Sequence, residues 1–181
     1  MGYAAATIIG YGLGSLPVAL WVGRRHGVDL RAVGDRNPGA WNALEQLGPR
    51  RAAPVFAGDG LKGLVAGVAG SLLAGTAGAY AGVLGALIGH SFPLLAGFRG
   101  GKAVMAFAGG AFALSPAAAA LALAACLLVS ISFSFRWGAR VGVFGFPLAQ
   151  LGFDPVEHVA ATGALMAFIG LRYLGARLAG R

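Results

Sequence analysis

Between Lys62 and Arg99 the chain runs for 36 residues without a charged side chain, and this gap constrains the fold more than any other feature. One helical crossing of a bilayer takes about 20 residues, so the gap is too long for one span and long enough for two. The turn between them is expected near Gly75–Gly78. The same reasoning applies to the 33 residues between Lys102 and Arg136, with a turn near Ser115-Pro116. It applies again from Arg140 to Arg172, where the turn carries Asp154, Pro155 and Glu157.

Folding each gap into a hairpin gathers all 14 Lys and Arg residues on one membrane face. The positive-inside rule makes that face cytoplasmic. The expected architecture is an all-α polytopic membrane protein, a single integral membrane domain over residues 1–181, with about seven transmembrane helices. They are placed at roughly 3–22, 54–74, 78–96, 102–114, 117–135, 140–152 and 157–174, with the N-terminus outside and the C-terminus cytoplasmic. The fourth and sixth are short, and a five-span alternative reads them as re-entrant pieces. The first run lacks a preceding positive charge and is followed by Arg24 and Arg25, so it is read as a retained span rather than a cleaved leader.

Composition agrees. Hydrophobic residues make up 57% of the chain, charged residues 11%, and mean hydropathy is +0.75. The 32 glycines suit a membrane bundle, where small residues let helices approach closely. Gly10/Gly14, Gly63/Gly67 and Gly78/Gly82 have that spacing. The net charge of +8 brackets apolar spans instead of forming a polar patch, which argues against nucleic-acid binding. Cys126 is the lone cysteine, so neither an internal disulfide nor a CxxC site is available, and no metal site is expected.

The polar motifs fall on the charged side. Gly89-His90-Ser91-Phe92-Pro93 followed by Phe98-Arg99-Gly100-Gly101-Lys102 packs a His, an Arg, a Gly pair and a Lys between two apolar runs. A helix beginning there would aim free N–H groups at an anion, with Lys102 adding a point charge. Asp59 and Lys62 share a helix face and can pair at the membrane boundary. Asn37-Pro38-Gly39 signals a turn, and Asn37 and Asn42 could hold a ligand hydroxyl. Arg172 to Arg181 reads as a basic tail anchored on anionic lipid. The sequence contains no nucleophile elbow, Walker loop or paired-carboxylate arrangement.

These motifs, with Gly14-Ser15-Leu16-Pro17 in the first span, resemble the bacterial acyl-phosphate-dependent glycerol-3-phosphate acyltransferases, the PlsY family. The resemblance implies a multi-pass cell-membrane enzyme with its active site on the cytoplasmic face. It would move a fatty acyl group from acyl-phosphate to glycerol 3-phosphate, giving lysophosphatidate for phospholipid synthesis, and would need no cofactor. Its partners would be those two substrates and membrane lipid. Lys102 would be catalytic, stabilising charge on the acyl-phosphate. Ser15, Asn37, Asn42, Asp59, Lys62, His90, Arg99, Gly100 and Gly101 would bind substrate.

At several family positions this chain carries different residues. Asp35-Arg36 stands where Ser-Gly is usual, Trp41 for Thr, and Glu45 for Arg. Leu171 and Leu174 stand for the His and Asn that precede Arg177-Leu178. Acylation of another acceptor, or non-catalytic lipid binding, is the alternative reading. A small transporter is the third, disfavoured by spans that lack ionisable groups.

Overall fold

The computed structural model describes residues 1–178, and all regular structure among them is helical. The helices are α1 (Gly2–Gly14), α2 (Val18–Arg25), α3 (Ala40–Leu47), α4 (Pro49–Ser91), α5 (Val104–Leu114), α6 (Pro116–Ser132), α7 (Phe135–Gln150) and α8 (Val156–Leu178). A short 3₁₀ turn occupies Leu94–Ala96.

The long uncharged gap folds back on itself as its length requires. Helix α4 is two arms, residues 49–73 and 76–91, joined where Ala74 leaves helical geometry and Gly75 takes φ +62°, ψ −155°. That conformation is open to glycine and strained for any residue with a Cβ. The arms then touch backbone to backbone, Gly78 against Gly70 and Gly82 against Ala66. Helix α1 lies parallel to the second arm, with Gly10 over Gly82 and Gly14 over Ala86. Helix α5 lies parallel to the first arm, with Gly63 against Ala106 and Gly67 against Ala113. Each of the three small-residue spacings in the sequence therefore marks a helix–helix contact.

Chain direction follows from these pairings. Gly2 packs beside Leu73 and Ala74, so the N-terminus and the fold-back share one end of the bundle. Helix α7 returns antiparallel along α6, its Gly138 and Gly142 lying over Ser130 and Cys126. The chain thus traverses the bundle seven times among the described residues, and every hairpin turn falls where the charge gaps put it. Phe107 and Phe146, edge to face at 5.8 Å, centre a core that Val83, Leu87, Leu165 and Ile169 extend. Beyond it, at the end carrying the turn with Asp154, fully buried Gln150 and Thr162 bond each other (2.6 Å) and Tyr80 (3.2 Å each). This network ties the second arm of α4 to α7 and α8.

The segment ends differ from the expected ones. Among the described residues, three stretches are long and apolar enough to cross a membrane: Gly2–Arg25, Pro49–Ala96, which holds the fold-back, and Val156–Leu178. The first span is broken at Ser15–Pro17, because proline lacks an N–H to continue the ladder. The third ends as a helix at Ser91. The fourth, α5, has 11 residues, about 16 Å and so roughly half a hydrocarbon core. The sixth, α7, starts at Phe135 and not at 140, where the Ser134 hydroxyl accepts the Trp137 N–H. Arg136 and Arg140 therefore lie inside a helix, a placement that charge counting alone does not resolve. The basic tail is also helical as far as Leu178, while Arg181 lies outside the described residues.

Candidate active site

Two loops build the site at the basic end. The first, residues 26–39, is held on α3 and the start of α4 by a small core around Leu30, Ala43, Ala52 and Val55. Asn42 is fully buried and donates its amide to the carbonyls of Leu30 (2.9 Å) and Val33 (3.1 Å). Its amide donors are spent shaping this loop, while its Oδ1 makes no hydrogen bond among the described residues. Gly34 and Arg36 both have positive φ (+60° and +55°), and Asp35 between them accepts the Asn37 N–H at 3.0 Å. This Asx turn presents Asp35, Arg36 and Asn37 together on one side.

The second loop, residues 92–103, is tied down by Tyr11 Oη donating to the Phe92 carbonyl (3.0 Å) and by Arg31 donating to that of Ala96 (3.4 Å). Its glycines do something other than cradle an anion. The N–H of Gly100 donates to Ser91 O and that of Gly101 to His90 O, each at 3.1 Å. A Cβ on Gly100 would enter the His90 carbonyl, and one on Gly101 would enter the His90 ring next to the Pro38 carbonyl. The Gly pair lets the loop lie flat on the end of α4, and its amides are already bonded. Helix α5 begins only at Val104, after Ala103 in left-handed geometry, so Lys102 precedes the helix instead of opening it.

Lys102 faces a cleft of about 160 Å³ lined by Asp35, Arg36, Asn37, Gly100, Arg172, Gly175 and Ala176. Its ammonium lies 3.1 Å from Asp35 Oδ2 and 4.9 Å from the centre of the Tyr173 ring. Arg172, the first residue of the basic tail, thus lines the cleft, and its guanidinium stacks 4.4 Å from the Phe92 ring. Sequence reasoning missed Arg172 and Tyr173. Leu171 and Leu174 point away from the bundle, 67% and 53% exposed, so α8 turns the two intervening side chains toward Lys102. The signal was present only as a helix period carried past the last expected span residue.

A second, smaller cavity lies behind the same loop. It is lined by Asp59, Lys62, His90, Arg99, Pro38 and Gly100, among others, and at about 20 Å³ has room for roughly one water. Asp59 and Lys62 are buried, correcting the expected exposed boundary pair, and bond at 2.7 Å. The break at Pro17 turns the Leu16 carbonyl inward, where Lys62 also donates to it at 3.3 Å. His90 Nδ1 is 3.6 Å from the same Asp59 oxygen. Ser15 is buried beside the break, and its hydroxyl makes no hydrogen bond among the described residues. Arg99 stays exposed on the cavity wall. Gly100 walls both cavities, so the structure brings Asn37, His90, Arg99, Gly100, Gly101 and Lys102 into one region, with Asp59 and Lys62 beneath them.

Glu45 and Trp41 stand apart from the cleft. Trp41 stacks on Phe135 (5.5 Å, 7°), and Arg136 lies over Trp41 while donating to Glu45 Oε1 at 3.1 Å. The α3–α7 contact thereby supplies the Glu45 carboxylate with its own cation.

Comparison with known proteins bears on the family and the fold. Residues 4–176 match the family model described as glycerol-3-phosphate acyltransferase. A glycerol-3-phosphate acyltransferase of Neisseria gonorrhoeae (strain NCCP11945) is 37% identical over 176 residues, covering 93% of this chain and 88% of that protein. One from Nitrobacter winogradskyi is 41% identical over 170 residues, covering 93% and 87%. The crystal structure of PlsY, an integral membrane glycerol 3-phosphate acyltransferase, in its glycerol 3-phosphate form superposes with a TM-score of 0.84. Identity there is 27%, over all of this chain and 94% of that one. The lysophosphatidic acid form gives 0.82 at 25% identity.

Proposed function

Since the chain belongs to the glycerol-3-phosphate acyltransferase family, we propose that it acylates glycerol 3-phosphate at the Lys102 cleft, with an acyl-phosphate as donor. The protein is a membrane acyltransferase of phospholipid synthesis, and its product is lysophosphatidate.

The observation that carries the site assignment is the charge of the cleft. Among the described residues that line it, the cations of Arg36, Lys102 and Arg172 outnumber the carboxylate of Asp35, an electropositive setting suited to a phosphate dianion. The acceptor phosphate sits among these three cations, with Asn37 within reach of its glycerol hydroxyls. Across Gly100, the exposed cation of Arg99 takes the donor phosphate. The neighbouring loop exposes Leu94, Leu95 and Phe98, apolar side chains beside which an acyl chain can leave the bilayer. Lys102 lies between the two phosphates and stabilises the negative charge that develops on the carbonyl and the leaving phosphate. Attack by the acceptor hydroxyl forms the ester bond as the acyl–oxygen bond to phosphate breaks, and the hydroxyl proton leaves with the departing phosphate. His90, Asp59, Lys62 and Ser15 support this region from below, and Gly100 and Gly101 bring the loop down onto them.

Charge placement favours the cytoplasmic face for the site, where water-soluble glycerol 3-phosphate is available. The test is direct. Purified protein in bilayers receives palmitoyl phosphate and glycerol 3-phosphate, with palmitoyl-CoA as a competing donor, and lysophosphatidate is followed. Product from the acyl-phosphate alone, lowered roughly 100-fold or more in Lys102→Ala, is the expected result. Product from the thioester alone overturns the donor, and full activity in Lys102→Ala overturns the site.

A further inference from the structure

Every charged group that lines the Lys102 cleft attracts a phosphate except Asp35, and Asp35 holds the ammonium a phosphate needs. Its Oδ2 is 3.1 Å from Lys102 Nζ, while its Oδ1 is fixed by the Asn37 N–H at 3.0 Å. The backbone on either side is in left-handed geometry, at Gly34 and Arg36, so the turn sets where the carboxylate points. The pair is only partly shielded, with the Lys102 side chain 14% and the Asp35 side chain 34% exposed, so solutes reach it. Tyr173 backs the ammonium from the other side and keeps it in place when the carboxylate lets go.

We propose that Asp35 is an internal counter-anion that exchanges with the substrate phosphate on Lys102. It thereby sets the affinity of the site for phosphate monoesters and returns to Lys102 to release the product. The inference rests on the cleft as the acceptor phosphate site. Its physical content is that acceptor and product present the same dianionic group, and the product is additionally held by its acyl chain in the bilayer. Without Asp35 the Lys102 ammonium would lose its counter-charge and would hold the product's phosphate more tightly than turnover tolerates. With it, each phosphate that binds displaces one carboxylate and works against its charge. Two charges against one at about 5 Å and a water-like dielectric, reduced by salt, amount to roughly a tenfold change in affinity.

The experiment compares the wild type with Asp35→Asn, which keeps the Oδ1 acceptor of the turn and removes the charge. Asp35→Ser serves as a second variant should the first melt early. KM for glycerol 3-phosphate and the inhibition constant of lysophosphatidate are both expected to fall roughly tenfold, with kcat changing less than KM. Binding of inorganic phosphate, titrated calorimetrically in detergent, is expected to tighten by a similar factor, and this readout needs no turnover. A fall in kcat with KM and phosphate affinity unchanged would overturn the proposal, leaving Asp35 as a support for Lys102. Tighter inorganic phosphate in the variants together with absent glycerol 3-phosphate acylation in the wild type would uphold the exchange and reject the acceptor assignment instead.

Discussion

The pair Asp59–Lys62 offers the sharpest physical test, because the structure buries what charge placement alone would leave at an exposed boundary. Only 1% of the Asp59 side chain and 4% of that of Lys62 are exposed, and the two bond at 2.7 Å. Replacing Asp59 with Asn leaves an ammonium whose acceptor outside the pair, among the described residues, is the Leu16 carbonyl at 3.3 Å. Replacing Lys62 with Met leaves a carboxylate whose nearest cationic candidate is His90, at 3.6 Å. Breaking a buried pair from one side costs about 3–5 kcal/mol, since the remaining charge is desolvated without compensation. At about 2–4 °C per kcal/mol for a chain of this size, each single variant is expected to melt roughly 10 °C below the wild type. Replacing both, as Asp59→Leu with Lys62→Met, removes the stranded charge and is expected to recover at least half of that loss. Thermal unfolding in detergent, followed by far-ultraviolet circular dichroism, measures all four proteins. Single variants within about 2 °C of the wild type, or a double variant that loses the sum of the two, would refute burial of the pair.

Two further expectations concern the loop and the topology. Gly101→Ala forces a Cβ into the His90 ring and so displaces Lys102; kcat/KM is expected to fall roughly 10- to 100-fold. Gly97→Ala is the control, because its Cβ meets open space at φ +64° and costs only about 1 kcal/mol of backbone strain; equal losses in the two variants would show that the loop contact is irrelevant. In a background with Cys126 replaced by Ala, an impermeant thiol reagent applied to intact cells is expected to label Glu157→Cys and to spare Arg50→Cys. The reverse pattern would invert the orientation.

Much of the architecture follows from the sequence by itself, because bilayer thickness turns a spacing into a fold. Charge-free gaps of 36 and 33 residues, and a third stretch without Lys or Arg between Arg140 and Arg172, leave little choice but hairpins, and their turns at Gly75, Ser115-Pro116 and Asp154-Pro155 are where they should be. The helix contacts were legible as well, since glycines four apart have little other use in an apolar helix, and Gly10, Gly63 and Gly82 each meet a neighbouring backbone. The gathering of His90, Arg99 and Lys102 was visible as polar side chains crowded into one short stretch.

What only the tertiary structure decided are the relations between residues far apart in sequence. Whether Asp59 and Lys62 are wet or dry depends on the break at Pro17 and on His90 arriving from the other end of α4. Whether Gly100 and Gly101 offer their amides to a ligand depends on the carbonyls of Ser91 and His90 beneath them. Arg172 joins the cleft and Tyr173 reaches the Lys102 ammonium through the rotation of α8, which the two outward leucines reveal only once the helix is packed. Composition and spacing report local energetics and solvent preference. The partner of a charge, and so the chemistry it performs, is set by packing across 67 residues of chain in the case of Asp35 and Lys102.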